Sequence, residues 1–209
     1  MRLFAALLLL LTVPVRPAVA QSGIFDYFVV ALSWSPTFCA LGGDAEGNPQ
    51  CAKGSRNGFL LNGLLPQFSD NWPDSCPSDK ADPSQKGAEA MADIMGTPDQ
   101  ALYQWTKHGR CTGLSADEYL TASRKAFQTV RIPDVFRDLK KDVELPVSAV
   151  EEAFIESNPG MIANGITVSC DEDRISVVRI CLTKDLTLRE CGEDIQRDCR
   201  MLDALMEAP

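Results

Sequence analysis

Eight cysteines, distributed from Cys39 to Cys199, constrain this chain of 209 residues more than any other feature. All of them follow an N-terminal segment that predicts export, and an even number of cysteines in an exported chain indicates disulfide bonds. A zinc site does not fit, because the sequence has no Cys-x-x-Cys pair and His108 is its only histidine. The spacing alone leaves the pairing of the cysteines open.

The first 20 residues have the pattern of a secretory signal peptide. Arg2 precedes a leucine-rich run that is too short to span a bilayer, and Ala18-Val19-Ala20 supplies small residues for cleavage. Residues 21–209 then form the mature chain, which we expect to be secreted or periplasmic and free of the membrane. Its length and its lack of linkers or repeats predict a single domain.

The mature chain is strongly acidic. Without Arg2 and Arg16 it has 18 Lys and Arg against 29 Asp and Glu, a formal charge of −11. Such a chain cannot bind nucleic acid by general attraction to phosphates, so any such binding needs a local basic site. We expect no DNA partner and a monomeric protein.

The hydrophobic pattern predicts strands at both ends of the mature chain and helices between them. Aromatic and β-branched residues predict strands at residues 25–34, 58–66, 166–170, 175–182 and 186–191. Helical patterns cover residues 99–107, 115–131 and 148–157. Ser115 with Glu118, and Ser148 with Glu151, have the spacing of helix N-terminal capping pairs. This order of elements predicts an α+β fold.

The segment around His108 is the best candidate for chemistry, because histidine is the side chain that titrates near neutral pH. In the predicted helix, Leu102 and Trp105 are three residues apart and would share a buried face. Tyr103, Lys107 and His108 would then face a cleft. The alternative is that His108 is a structural residue at the end of an apolar helix.

Several separated motifs, taken in order, resemble the ribonuclease T2 family. They are Phe25-Asp26-Tyr27-Phe28, Ala31-Leu32-Ser33-Trp34-Ser35-Pro36 with Phe38-Cys39, Gly63-Leu64 with Pro66, Trp105 with Lys107-His108-Gly109 and Cys111, Asn158-Pro159-Gly160, and Arg179-Ile180-Cys181-Leu182 with Cys191-Gly192. The resemblance implies a disulfide-stabilised central antiparallel sheet flanked by helices. It also implies an endoribonuclease, a hydrolase or lyase by class, that forms a 2′,3′-cyclic phosphate without metal or cofactor.

The residues that the family uses for catalysis are altered here. The first family box, His-Gly-Leu-Trp-Pro, reads Asn62-Gly63-Leu64-Leu65-Pro66, so an amide replaces one imidazole of the acid–base pair. In the second box, Tyr103 and Gln104 replace a phosphate-binding histidine and its acidic neighbour. Lys107 and His108 are retained.

Base recognition is altered as well. Leu65 stands where the family has a tryptophan, and Gln67 stands where an acidic residue is often found. Trp72 could supply another stacking surface. The alternative is that Trp72 closes over the core beside Pro73.

The resemblance, together with the spacing, also predicts the disulfides. Cys39 should pair with Cys51, Cys76 with Cys111, Cys170 with Cys199, and Cys181 with Cys191.

Three functions are compatible with these residues. The first is an exported pseudoenzyme that binds RNA or a nucleotide weakly and has lost most or all cleavage. The second is a weak endoribonuclease that uses His108 and Lys107 with solvent or Tyr103. The third is a non-catalytic interaction protein on the same fold.

Overall fold

A computed structural model of the protein describes residues 22–196 and 198–209. The predicted signal peptide lies outside these residues. Within them, no helix has the length and apolar character needed to cross a membrane.

A six-stranded sheet with the spatial order β2-β1-β5-β6-β3 organises the fold, and β4 also pairs with β5. The strands are β1 (Tyr27–Trp34), β2 (Phe59–Gln67), β3 (Val143–Leu145), β4 (Ile166–Asp171), β5 (Arg174–Leu182) and β6 (Ala204–Met206). All neighbours are antiparallel except β5 and β6, which pair in parallel at Arg174 and Leu205. The predicted α+β class is confirmed, and the short strands β3 and β6 are additions that no sequence pattern indicated.

The central strand β1 is covered on both faces. Phe28, Val30 and Leu32 point into the main core, while Tyr27 and Val29 pack with a smaller cluster. Successive side chains of a strand point to opposite faces, so each cluster takes alternate residues of β1. Burial on both faces explains why this segment is nearly continuously apolar.

Seven helices of the described residues pack around the sheet, and all but the first contribute side chains to the main core. They are α1 (Ser35–Phe38), α2 (Gln85–Glu89), α3 (Ala92–Met95), α4 (Pro98–Lys107), α5 (Ala116–Thr129), α6 (Asp134–Arg137) and α7 (Val147–Ser157). The Thr97 hydroxyl accepts a hydrogen bond from the Gln100 N–H at the start of α4. The capping box of Ser115 and Glu118 starts α5 as predicted. The Tyr119 hydroxyl joins α5 to β2 by donating to the Leu64 carbonyl at 3.0 Å.

Two local predictions are wrong. Helix α7 starts one residue early, after Pro146, so Ser148 lies inside the helix and caps nothing. Residues 186–191 form only an isolated antiparallel bridge, between Leu188 and Leu182, and no continuous strand, because Leu186 has a φ of +63° and lies in a turn whose Thr187 N–H bonds back to Thr183. A residue in the left-handed region interrupts an extended strand.

The four predicted disulfides are all present. Cys39–Cys51 closes the segment after β1, and Cys76–Cys111 joins a long loop to the end of α4. Cys170–Cys199 and Cys181–Cys191 tie the C-terminal segment to β4 and β5.

Candidate active site

Asn62 occupies a β-bulge in the edge strand β2. Ala31 of β1 pairs with Gly63, while the next residue, Leu32, pairs with Leu61, so Asn62 is the extra residue. A bulge breaks the regular alternation of side chains and re-aims the bulged residue. The Asn62 side chain is thereby turned toward helix α4.

Two glutamines of α4 bind Asn62. The Gln100 Nε2 donates to both the backbone oxygen and the Oδ1 of Asn62, each at 2.8 Å. The Gln104 Nε2 donates to the same Oδ1 at 3.3 Å. These three side chains, which we call the amide network, are neutral at every physiological pH. The network includes positions 62 and 104, at which the family boxes predict an imidazole and an acidic residue.

Gly63 gives Gln104 the space it occupies. Gln104 is only 4% exposed, and its Oε1 is buried without a hydrogen-bond partner among the described residues. A Cβ built on Gly63 would clash with this amide oxygen. The close approach of α4 to β2 therefore depends on glycine at position 63.

The buried face of α4 differs from the prediction. Ala101, Gln104 and Trp105 are buried, whereas Leu102 is 37% exposed and Tyr103 is 57% exposed. The prediction that Leu102 shares the buried face of Trp105 is wrong, because α4 turns its polar Gln104 toward the Asn62 bulge. Tyr103 faces solvent, whereas His108, which was predicted to face the same cleft, is buried.

His108 caps the C-terminus of α4 and is only 8% exposed. Its Nδ1 is buried and has no partner among the described residues. Burial lowers the pKa of His108 to about 4, assisted by the Lys107 charge and opposed by Asp74. The imidazole is therefore neutral at pH 7, so it has no proton to give as imidazolium, and its low pKa makes it a weak base.

Lys107 is held in an ion pair, with its Nζ 2.8 Å from the Asp74 Oδ2. The hydrogen bond from Lys107 lowers the pKa of the Asp74 carboxyl. The Ser75 N–H also donates to the Lys107 carbonyl at 2.7 Å, and the Cys76–Cys111 bridge follows directly. The sequence analysis did not identify Asp74. Because Asp74 lies two residues before Cys76, the predicted Cys76–Cys111 disulfide was the signal that could have placed it near the end of α4.

The predicted base-binding residues do not form one surface. Leu65 packs against the smaller cluster, and Gln67 is buried. Trp72 is 55% exposed while Pro73 is buried, so the alternative in which Trp72 closes over the core is wrong. Of these three residues, Trp72 has the side chain that is available for stacking.

Comparison with known proteins agrees with this architecture. A ribonuclease of Aeromonas hydrophila is 38% identical over 104 residues, which cover 49% of this chain and 45% of that protein, so the chain spans about half the length of this relative. The S-like ribonuclease trichomaglin superposes with a TM-score of 0.71 at 22% identity and covers 89% of this chain and 100% of its own. A variant of ribonuclease MC1 in complex with 5′-UMP has a TM-score of 0.66 at 18% identity, with 86% and 97% covered.

The family assignment rests on most of the chain. The model of the ribonuclease T2 family matches residues 25–191, which include both boxes, three of the four disulfides and the whole of β1, β2, β4 and β5. The chain therefore belongs to the ribonuclease T2 family.

Proposed function

We propose that the mature chain is an exported RNA-binding protein of the ribonuclease T2 family whose endonucleolytic cleavage is lost or strongly weakened. The observation that carries this proposal is the amide network of Asn62, Gln100 and Gln104. It is a hydrogen-bonded arrangement of neutral side chains that cannot move a proton.

The reaction needs a base for the 2′-hydroxyl, a cation for the phosphorane and an acid for the 5′-oxygen. His108 is neutral at pH 7 and can fill only the first of these roles, as a weak base because its pKa is lowered to about 4. Asn62 cannot act as the acid, and the Lys107 ammonium is already paired with the Asp74 carboxylate. Because one positioned acid or base contributes about 10²–10⁴-fold to the rate, cleavage should fall by at least that factor.

RNA or nucleotide binding has separate support. Trp72 presents an exposed aromatic face, and base–aromatic stacking tolerates any sequence. The related fold of ribonuclease MC1 holds 5′-UMP. The proposed ligand is therefore a short single-stranded RNA or a nucleotide.

Weak endoribonuclease activity is the second candidate. The neutral imidazole of His108 has a free acceptor nitrogen for the 2′-hydroxyl proton, although a pKa of about 4 makes it a weak general base, which agrees with weak activity. Tyr103 lies one helical turn before Lys107 and is exposed, so it could contact the departing oxygen.

The test is cleavage of RNA by purified residues 21–209. We expect little or no product from the wild type and only a small gain from Asn62→His. The triple variant Asn62→His, Tyr103→His and Gln104→Glu should gain much more, by roughly 10² or greater, with a 2′,3′-cyclic phosphate product. Recovery should be non-additive because the restored groups act as one unit.

His108→Ala in the triple variant is the matched control and should abolish the recovered cleavage. A wild type that already cleaves as fast as the triple variant contradicts the proposal of weakened activity. If that cleavage also survives His108→Ala, the site itself is misassigned. Cleavage by the wild type that is slow but lost in His108→Ala would favour the second candidate, and a wild type that neither cleaves nor binds RNA would favour a pure interaction role.

A further inference from the structure

The ion pair between Lys107 and Asp74 joins a residue that the family boxes retain to one that lies outside both boxes. The Lys107 Nζ is 2.8 Å from the Asp74 Oδ2. Among residues 22–196 and 198–209, no other carboxylate lies within 4.0 Å of this ammonium group. The rest of the chain, residues 1–21 and Arg197, contains no Asp or Glu. The pairing of Lys107 therefore depends on Asp74 alone.

The main chain of the loop holds Asp74 beside the end of α4. The next residue, Ser75, has a φ of +51°, in the left-handed region that residues other than glycine seldom adopt. Its N–H donates to the Lys107 carbonyl at 2.7 Å, and the Cys76–Cys111 disulfide follows directly. Many surface ion pairs are weak because two long side chains lose freedom when they meet. Here one partner is a short side chain on a main chain that is already fixed, so this loss is reduced.

The Asp74 carboxylate acts on both catalytic side chains that the boxes retain. Its hydrogen bond with Lys107 raises the pKa of the ammonium group and lowers the pKa of Asp74, so both are charged at pH 7. Burial lowers the pKa of His108, and the negative charge of Asp74 opposes this effect. An anion bound at these residues is therefore within range of repulsion by Asp74.

The ion pair is also accessible to a ligand, since the Lys107 and Asp74 side chains are 37% and 36% exposed. A phosphate that approaches Lys107 must share the ammonium group with Asp74 or displace Asp74, and the carboxylate repels it throughout. A nucleoside without a phosphate meets neither obstacle. Trp72, two residues before Asp74 in the same loop, exposes an aromatic face on which a base can stack.

We propose that Asp74 is a specificity-determining residue of the candidate site, which weakens the contact of Lys107 with phosphate so that a ligand is recognised mainly through its nucleoside. This inference rests on the proposed function for the identity of the ligand as RNA or a nucleotide. Asp74 acts through Lys107 and does not touch the reacting atoms. The chain thus retains the lysine of the second box but limits its use as a phosphate anchor.

The test compares inorganic phosphate, 5′-UMP and uridine as ligands of purified residues 21–209, by NMR titration of the wild type and of Asp74→Asn. We expect Asp74→Asn to bind phosphate and 5′-UMP at least about fivefold more tightly, with the affinity for uridine unchanged. Asp74→Glu keeps the charge and should keep the preference of the wild type. Asp93→Asn is the matched control, because it removes one carboxylate from the ion pair with Arg124, and it should leave all three affinities unchanged.

A Lys107→Met background shows whether Asp74 acts through Lys107. There, Asp74→Asn removes only the repulsion by the carboxylate, so its gain in phosphate affinity should be smaller than in the wild type. An equal gain in both backgrounds overturns the inference. With Lys107 present, Asp74→Asn should also make RNA affinity fall more steeply with salt, by about one phosphate contact.

Two measurements do not depend on the gain in Asp74→Asn. The wild type should bind 5′-UMP no more than about twofold more tightly than uridine, and a gain of about tenfold from the phosphate group overturns the inference without any variant. The pKa of His108, followed by NMR, should be lower in Asp74→Asn than in the wild type and should be retained in Asp74→Glu. An unchanged His108 pKa in Asp74→Asn would show that this carboxylate does not face the site, which also overturns the inference.

The outcomes separate this inference from the proposed function. If the wild type binds RNA and Asp74→Asn binds phosphate no better, the inference is overturned and the proposed function stands. If Asp74→Asn gains phosphate affinity through Lys107 in a chain that binds no RNA, the inference is supported and the proposed function is contradicted.

Discussion

At the scale of single residues, neutral amides stand at two positions where the family boxes predict an imidazole and a carboxyl. Asn62 and Gln104 form part of a hydrogen-bonded network. Gln104 donates one hydrogen bond to Asn62, and Gln100 donates two to Asn62. A hydrogen bond between neutral groups requires no counter-charge, so the network is stable without the cation or proton that a histidine–glutamate pair would hold. The site can therefore fold without the charged groups that catalysis would need.

Gly63→Ala tests how tightly this network is packed. The added methyl group should displace Gln104 and lower the free energy of unfolding by about 1–3 kcal/mol, measured by urea denaturation. The double variant Gly63→Ala, Gln104→Ala should lose less than the two single changes together, because the clash is then absent. Strict additivity of the two losses would show that Gln104 does not fill the space over Gly63.

His108 makes stability depend on pH. Its pKa is about 4 in the folded chain against 6.5 when unfolded, so the unfolded chain binds the proton first as the pH falls. The free energy of unfolding should therefore drop between pH 6.5 and pH 4, by about 3 kcal/mol from this group. His108→Asn should remove that drop, as followed by urea denaturation at several pH values.

Glu151 acts in the opposite direction and must be separated from His108. Burial, together with the neighbouring Asp198, raises the pKa of Glu151 to about 7, so its contribution is present at low pH and is lost as the pH rises through 7. The difference between the wild type and His108→Asn cancels this contribution. Parallel pH profiles for the two proteins would rule out a depressed His108 pKa.

At the scale of elements, α4 is amphipathic in an unusual sense, because a glutamine and a histidine lie on its buried side. Hydrophobic spacing identifies which positions share a face, but it does not reveal that a polar strand bulge is the neighbour of that face. The Cys76–Cys111 bridge and the Ser75 hydrogen bond then hold the end of α4 against the loop that carries Asp74. Lys107 meets Asp74 as a result.

Helices α5 and α7 offer a matched test of capping. Ser115→Ala should lower the free energy of unfolding by about 1 kcal/mol, because its hydroxyl accepts from the Glu118 N–H. Ser148→Ala should change it by less than about 0.5 kcal/mol, because Ser148 lies inside α7. Equal losses in thermal or urea unfolding would contradict the observed start of α7.

At the scale of the whole molecule, the formal net charge of −11 on the mature chain opposes the binding of RNA. Binding must come from local groups such as the exposed Trp72, so we expect a dissociation constant weaker than about 10⁻⁶ M for short RNA near physiological salt. Affinity should fall further as salt rises, which titration at two salt concentrations measures. Tight binding that is insensitive to salt would require a surface other than this one.

The sequence by itself determined the α+β class, the main strands and, through the family motifs, the four disulfides. These features follow from local periodicity and from cysteines whose partners the motifs identify. The residue types at the site were also readable, since Asn62, Tyr103 and Gln104 stand in recognisable boxes. Strands β3 and β6 could not be predicted, because a three-residue segment is too short to show a hydrophobic pattern.

The tertiary structure decided how those residues are used. The bulge that turns Asn62 toward α4, the burial of Gln104 and His108, and the pairing of Lys107 with Asp74 all depend on segments far apart in the chain. A charge or an amide acquires its pKa and its partners from what is packed around it, and local spacing does not encode that environment.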